Sequence, residues 1–132
     1  MDGRERAIET VTRFVRLVEE RRLGEAASYL GAGASLTFPG GRTFSSLEEQ
    51  VSSSAGRFRG VRKVFECFDV STSGELTIVY LSGTLEGEDL EGNRFSGVRF
   101  IDRFELAGDQ IVDQKVWNDL AERGIVPGST TS

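Results

Sequence analysis

Four stretches of strand length, residues 61–70, 76–85, 94–106 and 111–118, follow one another with only short breaks between them: Ser73-Gly74, residues 86–93 and residues 107–110. Short breaks leave room for hairpins but not for crossover helices, so the four strands are expected to form an antiparallel meander. Three helices are expected ahead of them. Asp2 with Glu5 has the spacing of a capping box, and Ile8, Val11, Phe14, Val15 and Val18 then recur with helical period to about Arg22. Leu23, Ala26, Ala27 and Leu30 predict a short second helix that Gly31 and Gly33 break. Residues 35–38 read as a brief strand stopped by Pro39-Gly40-Gly41. Ser45 and Ser46 with Glu48 and Glu49 then open a third helix that carries Leu47, Val51, Ala55 and Phe58 on one face and ends at Gly60. Helices first and a meander afterwards is an α+β order, with helices packed on one face of a curved sheet.

At 132 residues the chain suits one domain, expected over residues 1–124, with 125–132 as a flexible tail. The formal charge of −5, with Arg scattered among Asp and Glu, offers no basic stripe for nucleic acid. No apolar run approaches membrane-spanning length, the N-terminus is charged from its start, and Cys67 is the only cysteine; the expected setting is cytoplasmic. Histidine is absent, which removes Ser-His-Asp and Cys-His catalysis and His-containing zinc sites. Any acid–base work falls to Asp, Glu, Lys, Tyr or water. The acidic turn 86–93 lacks the ligand spacing of a calcium loop, and the glycines at 31–33 and 39–41 open no phosphate-binding helix. No metal and no cofactor is expected.

The residue that stands out is Asp102. With a period of two it falls in phase with Val98, Phe100, Phe104 and Leu106, so a carboxyl is aimed at the apolar side of its strand. An ionised carboxylate there is costly, so the group must be hydrogen-bonded, paired or protonated. It is the candidate catalytic residue, and a buried structural ion pair is the competing reading. On the last strand Gln114, Val116 and Asn118 group with Val112 as the inward set, and Trp117 points outward unless a bulge swaps them. Tyr80, in phase with Ile78, Ser82 and Thr84, is a candidate for placing a hydroxyl in a cavity. Phe14, Phe38, Phe100 and Phe104 are candidate cavity walls, core packing being the commoner role of phenylalanine.

This order of elements resembles the nuclear transport factor 2 (NTF2) superfamily, in its SnoaL-like and ketosteroid-isomerase-like branch. The passage from Phe14 to Pro39 and the run Phe-Ile-Asp-Arg-Phe at 100–104 carry the likeness, which spans about residues 5–124. The resemblance implies a cone-shaped, curved antiparallel sheet closed by three N-terminal helices, a cavity in its wide end, and a homodimer. It puts Asp102 where ketosteroid isomerases hold a protonated aspartic acid in the oxyanion hole. The family's oxyanion tyrosine falls on Phe14 and its general base on Phe38, so that isomerisation is not expected. Residues 77–85 and 111–119 do not supply the Asp-Arg-Asp set of limonene-epoxide hydrolase, and the His of polyketide cyclases has no counterpart. Two function classes stay open. One is a cofactor-independent isomerase, cyclase or dehydratase acting next to a carbonyl. The other is a non-catalytic ligand-binding or accessory homodimer. In both, the partner is an apolar small molecule carrying a carbonyl or similar polar group. A second titratable group in the cavity, such as Lys63, Glu66, Asp69 or Asp119, would separate them.

Overall fold

The computed structural model describes residues 2–126. Helix α1 (Gly3–Glu19) starts where the Asp2 carboxylate accepts the Glu5 N–H at 2.8 Å. It buries Ala7, Thr10, Val11, Phe14 and Val15. It ends in paired hydrogen bonds, from the Arg22 N–H to the Leu17 carbonyl at 2.9 Å and from the Arg21 N–H to the Val18 carbonyl at 3.0 Å. That is the Schellman pattern, with Arg21 at φ 61° in the position glycine usually takes. The helix therefore stops at Glu19, short of the expected Arg22.

Helix α2 (Leu23–Ala27) is a single short segment, and strand β1 (Leu30–Phe38) begins well before the expected residue 35. Gly31 and Gly33 lie inside this strand and do not end a helix, because β1 finds a partner along strand β6 (Gln110–Asn118), Leu30 opposite Ile111 and Leu36 opposite Gln114. This pairing is parallel, a departure from the expected all-antiparallel sheet. The Pro39-Gly40-Gly41 turn leads into strand β2 (Arg42–Phe44), which sequence alone did not predict and which pairs back on β1, Phe38 opposite Arg42. Helix α3 (Leu47–Ala55) is capped by Ser46, whose hydroxyl accepts the Glu49 N–H at 3.2 Å. It ends at Ala55 and not at Gly60, since Phe58 and Gly60 pair with Asp89 and Glu88 as the start of a long strand.

Strands β3 (Phe58–Ser73), β4 (Leu76–Asp89), β5 (Arg94–Ala107) and β6 form the expected meander, and the six-stranded sheet has the order β2-β1-β6-β5-β4-β3. It is strongly curved without closing into a barrel. β3 is bulged between Phe65 and Cys67 and again between Phe58 and Gly60. Opposite these bulges β4 carries Gly83 and Gly87, where a Cβ would lie 2.0 Å from the carbonyl oxygens of Val64 and Gly60. Only glycine permits so close an approach of two backbones, and these crimps turn β3 inward. A further irregularity between Glu105 and Leu106 shifts β6, so Ile111 faces the core and Val112 leaves the expected inward set.

The core lies between α1 and the concave face: Val11 and Phe14 against Leu36, Val79, Leu81, Val98, Phe104 and Ile111. Phe14 and Phe104 meet edge to face, centroids 6.2 Å apart. Ile125 and Val126, the first residues of the expected tail, pack on this core, with Val126 buried; the rest of that tail, 127–132, lies outside the described residues. No helix among the described residues is long and apolar enough to cross a membrane.

Candidate functional site

Between α1, α3, the β1–β2 turn, the inward face of β3 and β6 and the segment 120–126 lies a cavity of about 140 Å³. One water needs roughly 10–15 Å³ by the same measure, so the space suits a small organic molecule. Its apolar lining includes Phe14, Phe38, Leu47, Phe58, Leu85 and Val116, and its polar lining Gln114, Asn118, Gln50 and Ser54. Gln50 and Ser54 satisfy each other, the Gln50 Nε2 donating to the Ser54 hydroxyl at 2.8 Å.

Asp102 is fully buried on β5, as its phase on the strand requires, between Leu81 of β4 and Val116 of β6. It does not line the cavity. Lys63 does, and its amine forms an ion pair with Asp102 Oδ2. The expectation that Asp102 itself meets a ligand is corrected by this geometry: the lysine stands between them. Lys63 reaches inward because β3 is crimped over Gly83, and its backbone is fixed from α1. β3 is the edge of the sheet, where backbone groups lack a strand partner. The Lys63 N–H donates to Glu19 Oε2 at 2.8 Å, and its carbonyl accepts from Arg16 Nη1 at 2.9 Å. Arg16 also donates to Glu19 Oε1 at 2.7 Å.

Burial pushes the Asp102 carboxyl above the usual carboxylate range. The charge and hydrogen bond of Lys63 and a hydrogen bond from Gln114 Nε2 at 3.4 Å pull it back, and the nearby Glu19 charge raises it again. Asp102 Oδ1 is buried and has no hydrogen-bond partner among the described residues, in keeping with a site poor in donors. The Lys63 amine also sits 5.2 Å from the centre of the Phe100 ring.

Of the expected ligand-binding residues, Phe14, Phe38, Gln114, Val116 and Asn118 line the cavity. Phe100 and Phe104 are buried in the layer behind it. Tyr80 is the clear correction. It lies on the outer face of β4, because Val79, Leu81, Gly83 and Leu85 take the inward positions, and its hydroxyl accepts from Arg103 Nε at 3.2 Å. Asn118 is inward and Trp117 outward, as the alternation predicted, and Trp117 is 49% exposed. Asn118 Oδ1 accepts the Leu120 N–H at 3.2 Å, closing the strand end. Glu66 and Asp69 are exposed, and Asp119 pairs with Arg99 at 2.6 Å, so of Lys63, Glu66, Asp69 and Asp119 only Lys63 enters the cavity. Glu19, Arg21, Arg42 and Arg57 also line it and were not foreseen. Arg57 lies beyond the end of α3 and not within the helix expected to run to Gly60; the cue in the sequence is the glycine just before it, Gly56, which is the helix C-cap. Among the described residues no group of three His, Cys, Asp or Glu side chains converges as a metal site would.

No protein-family model matches the chain, and no curated protein does. Solved structures do. TerC, crystallised with polyporic acid, is 15% identical, with 91% of this chain and 97% of that one covered at a TM-score of 0.73. An NTF2-like protein of unknown function from Burkholderia pseudomallei is 16% identical, covering 93% and 98% at 0.72. A protein assigned as a SnoaL-like polyketide cyclase from Jannaschia sp. CCS1 is 19% identical, covering 97% and 96% at 0.67. The likeness runs over nearly the whole of both chains in each case: this chain has the NTF2-like fold, in the form shared with SnoaL-like proteins.

Proposed function

We propose that the protein binds a small, mostly apolar molecule carrying a carbonyl group, and that Lys63, held by Asp102, grips the carbonyl oxygen. The observation that carries this reading is an amine set at the wall of a cavity beside the apolar side chains of Phe14, Phe38, Phe58, Leu85 and Val116, and backed by a fully buried carboxyl. A donor so placed is oriented in advance and faces little competing water, which favours both binding and the stabilisation of negative charge that develops on the oxygen. Asp102 is then a positioning residue. Proteins of the same fold lend support: one was crystallised with polyporic acid, and another is assigned as a polyketide cyclase.

A catalytic reading, as an isomerase, cyclase or dehydratase acting next to the carbonyl, has one observation in its favour. Glu19 brings a carboxylate to the cavity wall, fixed against the Lys63 backbone. Phe14 and Phe38 present only rings there, so the ketosteroid isomerase mechanism is not proposed. The working unit is proposed to be a homodimer joined through the outer face of the sheet, where Ile101 and Trp117 are cross-strand neighbours, 38% and 49% exposed.

Calorimetric titration with 2-acetylnaphthalene and with 2-ethylnaphthalene, which lacks the carbonyl, tests the binding reading. The ketone is expected to bind about tenfold more tightly, as one hydrogen bond from a charged donor implies, and Lys63→Met should erase the difference. Equal affinity for the two compounds would contradict it.

A further inference from the structure

The charges around the cavity do not balance. Lys63 is matched by Asp102, and Glu19 is matched by Arg16. Arg21, Arg42 and Arg57 also line the space, and none of the three forms an ion pair among the described residues. Three guanidinium groups without carboxylates around one cavity are unexpected in a chain of formal charge −5, where acidic partners are plentiful.

Two of them are held in place by neutral groups. Arg42 donates from Nε to the Pro39 carbonyl at 3.1 Å and from Nη1 to the Ser53 hydroxyl at 2.9 Å. Arg21 donates from Nη1 to the Val18 carbonyl at 2.8 Å. Burial, and then the charge of Arg57, lower the Arg42 pKa from its ordinary value, so the two cations act on each other. Arg21 is also the one non-glycine residue with positive φ among the described residues, at a helix end where glycine would relieve the strain. Arg21 thus stands where a helix end usually has glycine, its guanidinium bonded to a carbonyl of the last helical turn and placed on the rim of the cavity.

We propose that the molecule taken by this cavity is an anion, an aromatic or otherwise apolar carboxylate whose charged end meets Arg42 and Arg57, with Arg21 adding to the positive field at the rim. Its apolar body lies against Phe14, Phe38 and Phe58. The planar guanidinium fork matches a carboxylate in geometry as well as charge. The proposal rests on the reading of the cavity as a small-molecule site and names the class of molecule.

Calorimetric titration of the full chain with 2-naphthoate and with the neutral, near-isosteric 2-naphthamide tests it. Naphthoate is expected to bind about tenfold more tightly or better, a preference that shrinks at high salt. In the Arg42→Gln/Arg57→Gln double variant the preference should vanish while naphthamide affinity holds. Arg57→Gln alone should move it in the same direction, which covers a double variant that does not fold. Arg21→Gly should reduce the naphthoate preference; full preference in that variant would overturn the part given to Arg21. Equal affinity of wild type for the two compounds, or a preference that survives both Arg42 and Arg57 substitutions, would overturn the anion assignment. If naphthamide and 2-acetylnaphthalene still bind in that event, the cavity reading stands. If none of the three compounds binds, both readings fall.

Discussion

Asp102 and Arg103 are neighbours on β5, and their surroundings could hardly differ more. Asp102 points inward, fully buried, with one oxygen paired to Lys63 and the other without a partner. Arg103 points outward, 2.7 Å from Glu105 and within hydrogen-bond reach of Tyr80, with water at hand for whatever the protein leaves unsatisfied. The Glu105 hydrogen bond raises the Arg103 pKa, so on the outer face pairing reinforces the charge. On the inner face burial works against the Asp102 charge and the Lys63 pair opposes that effect. The same pleat thus carries one ion pair that solvent makes inexpensive and one that must be justified by what it does to the cavity.

The largest effect should come from removing the inner partner. Lys63→Met leaves Asp102 buried without a cation, and breaking such a pair costs about 3–5 kcal/mol where the carboxylate stays charged. The loss should therefore grow as pH rises through the folded pKa of Asp102 and shrink below it, where protonation relieves the unpaired charge; denaturant melts across a pH series measure this. Replacing both partners, Lys63→Met with Asp102→Leu, should recover most of the stability while removing the ligand's polar anchor.

Next in size, Gly83→Ala puts a methyl into the Val64 carbonyl and should cost roughly 2 kcal/mol or more, since a backbone must move to admit it. It should also weaken binding of 2-acetylnaphthalene, because the crimp that carries Lys63 inward is lost. On the outer face Arg103→Gln should change stability by no more than about 1 kcal/mol, as for partly exposed pairs generally. For the proposed homodimer, Ile101→Glu is expected to leave the monomer fold intact and shift sedimentation from dimer to monomer. A dimer that survives this change would place the interface elsewhere.

The pH dependence distinguishes the faces again. The folded Asp102 pKa lies above its unfolded value, so the native state holds that proton more tightly than the unfolded chain does. Its contribution to stability is complete below the unfolded pKa, about 3.9, and is lost as pH rises through the folded pKa. Asp102→Asn should flatten that part of the stability profile. Asp89, at the β4–β5 turn, has the opposite sign. Its pKa is lowered, first by the backbone hydrogen bond from Asn93, so its contribution is present above the unfolded pKa and fades on acidification.

Much of the fold was legible because local signals agreed with it. Caps at Asp2 and Ser46, alternation in β5 and three short breaks were enough for the helices and the meander. What escaped had a nonlocal cause. β1 extends back through two glycines because β6 lies beside it, and β3 begins at Phe58 because β4 runs on to Asp89. The site divides in the same way. Asp102 and the inward faces of Gln114, Val116 and Asn118 follow from the period of their strands. The reach of Lys63 depends on a bulge facing a glycine two strands from Asp102, and the convergence of Arg21, Arg42 and Arg57 depends on three separate turns. No single stretch of sequence contains either fact.

The claim on which the account turns is that Asp102 is a desolvated carboxyl governed by Lys63. The side-chain carboxyl carbon-13 shift of Asp102, followed against pH in wild type and in Lys63→Met, measures it directly. The account predicts a midpoint above the reference of about 3.9 in wild type and a still higher one in the variant, where the lysine's opposing charge is gone. A wild-type midpoint at or below the reference, or one that Lys63→Met leaves unmoved, would contradict it.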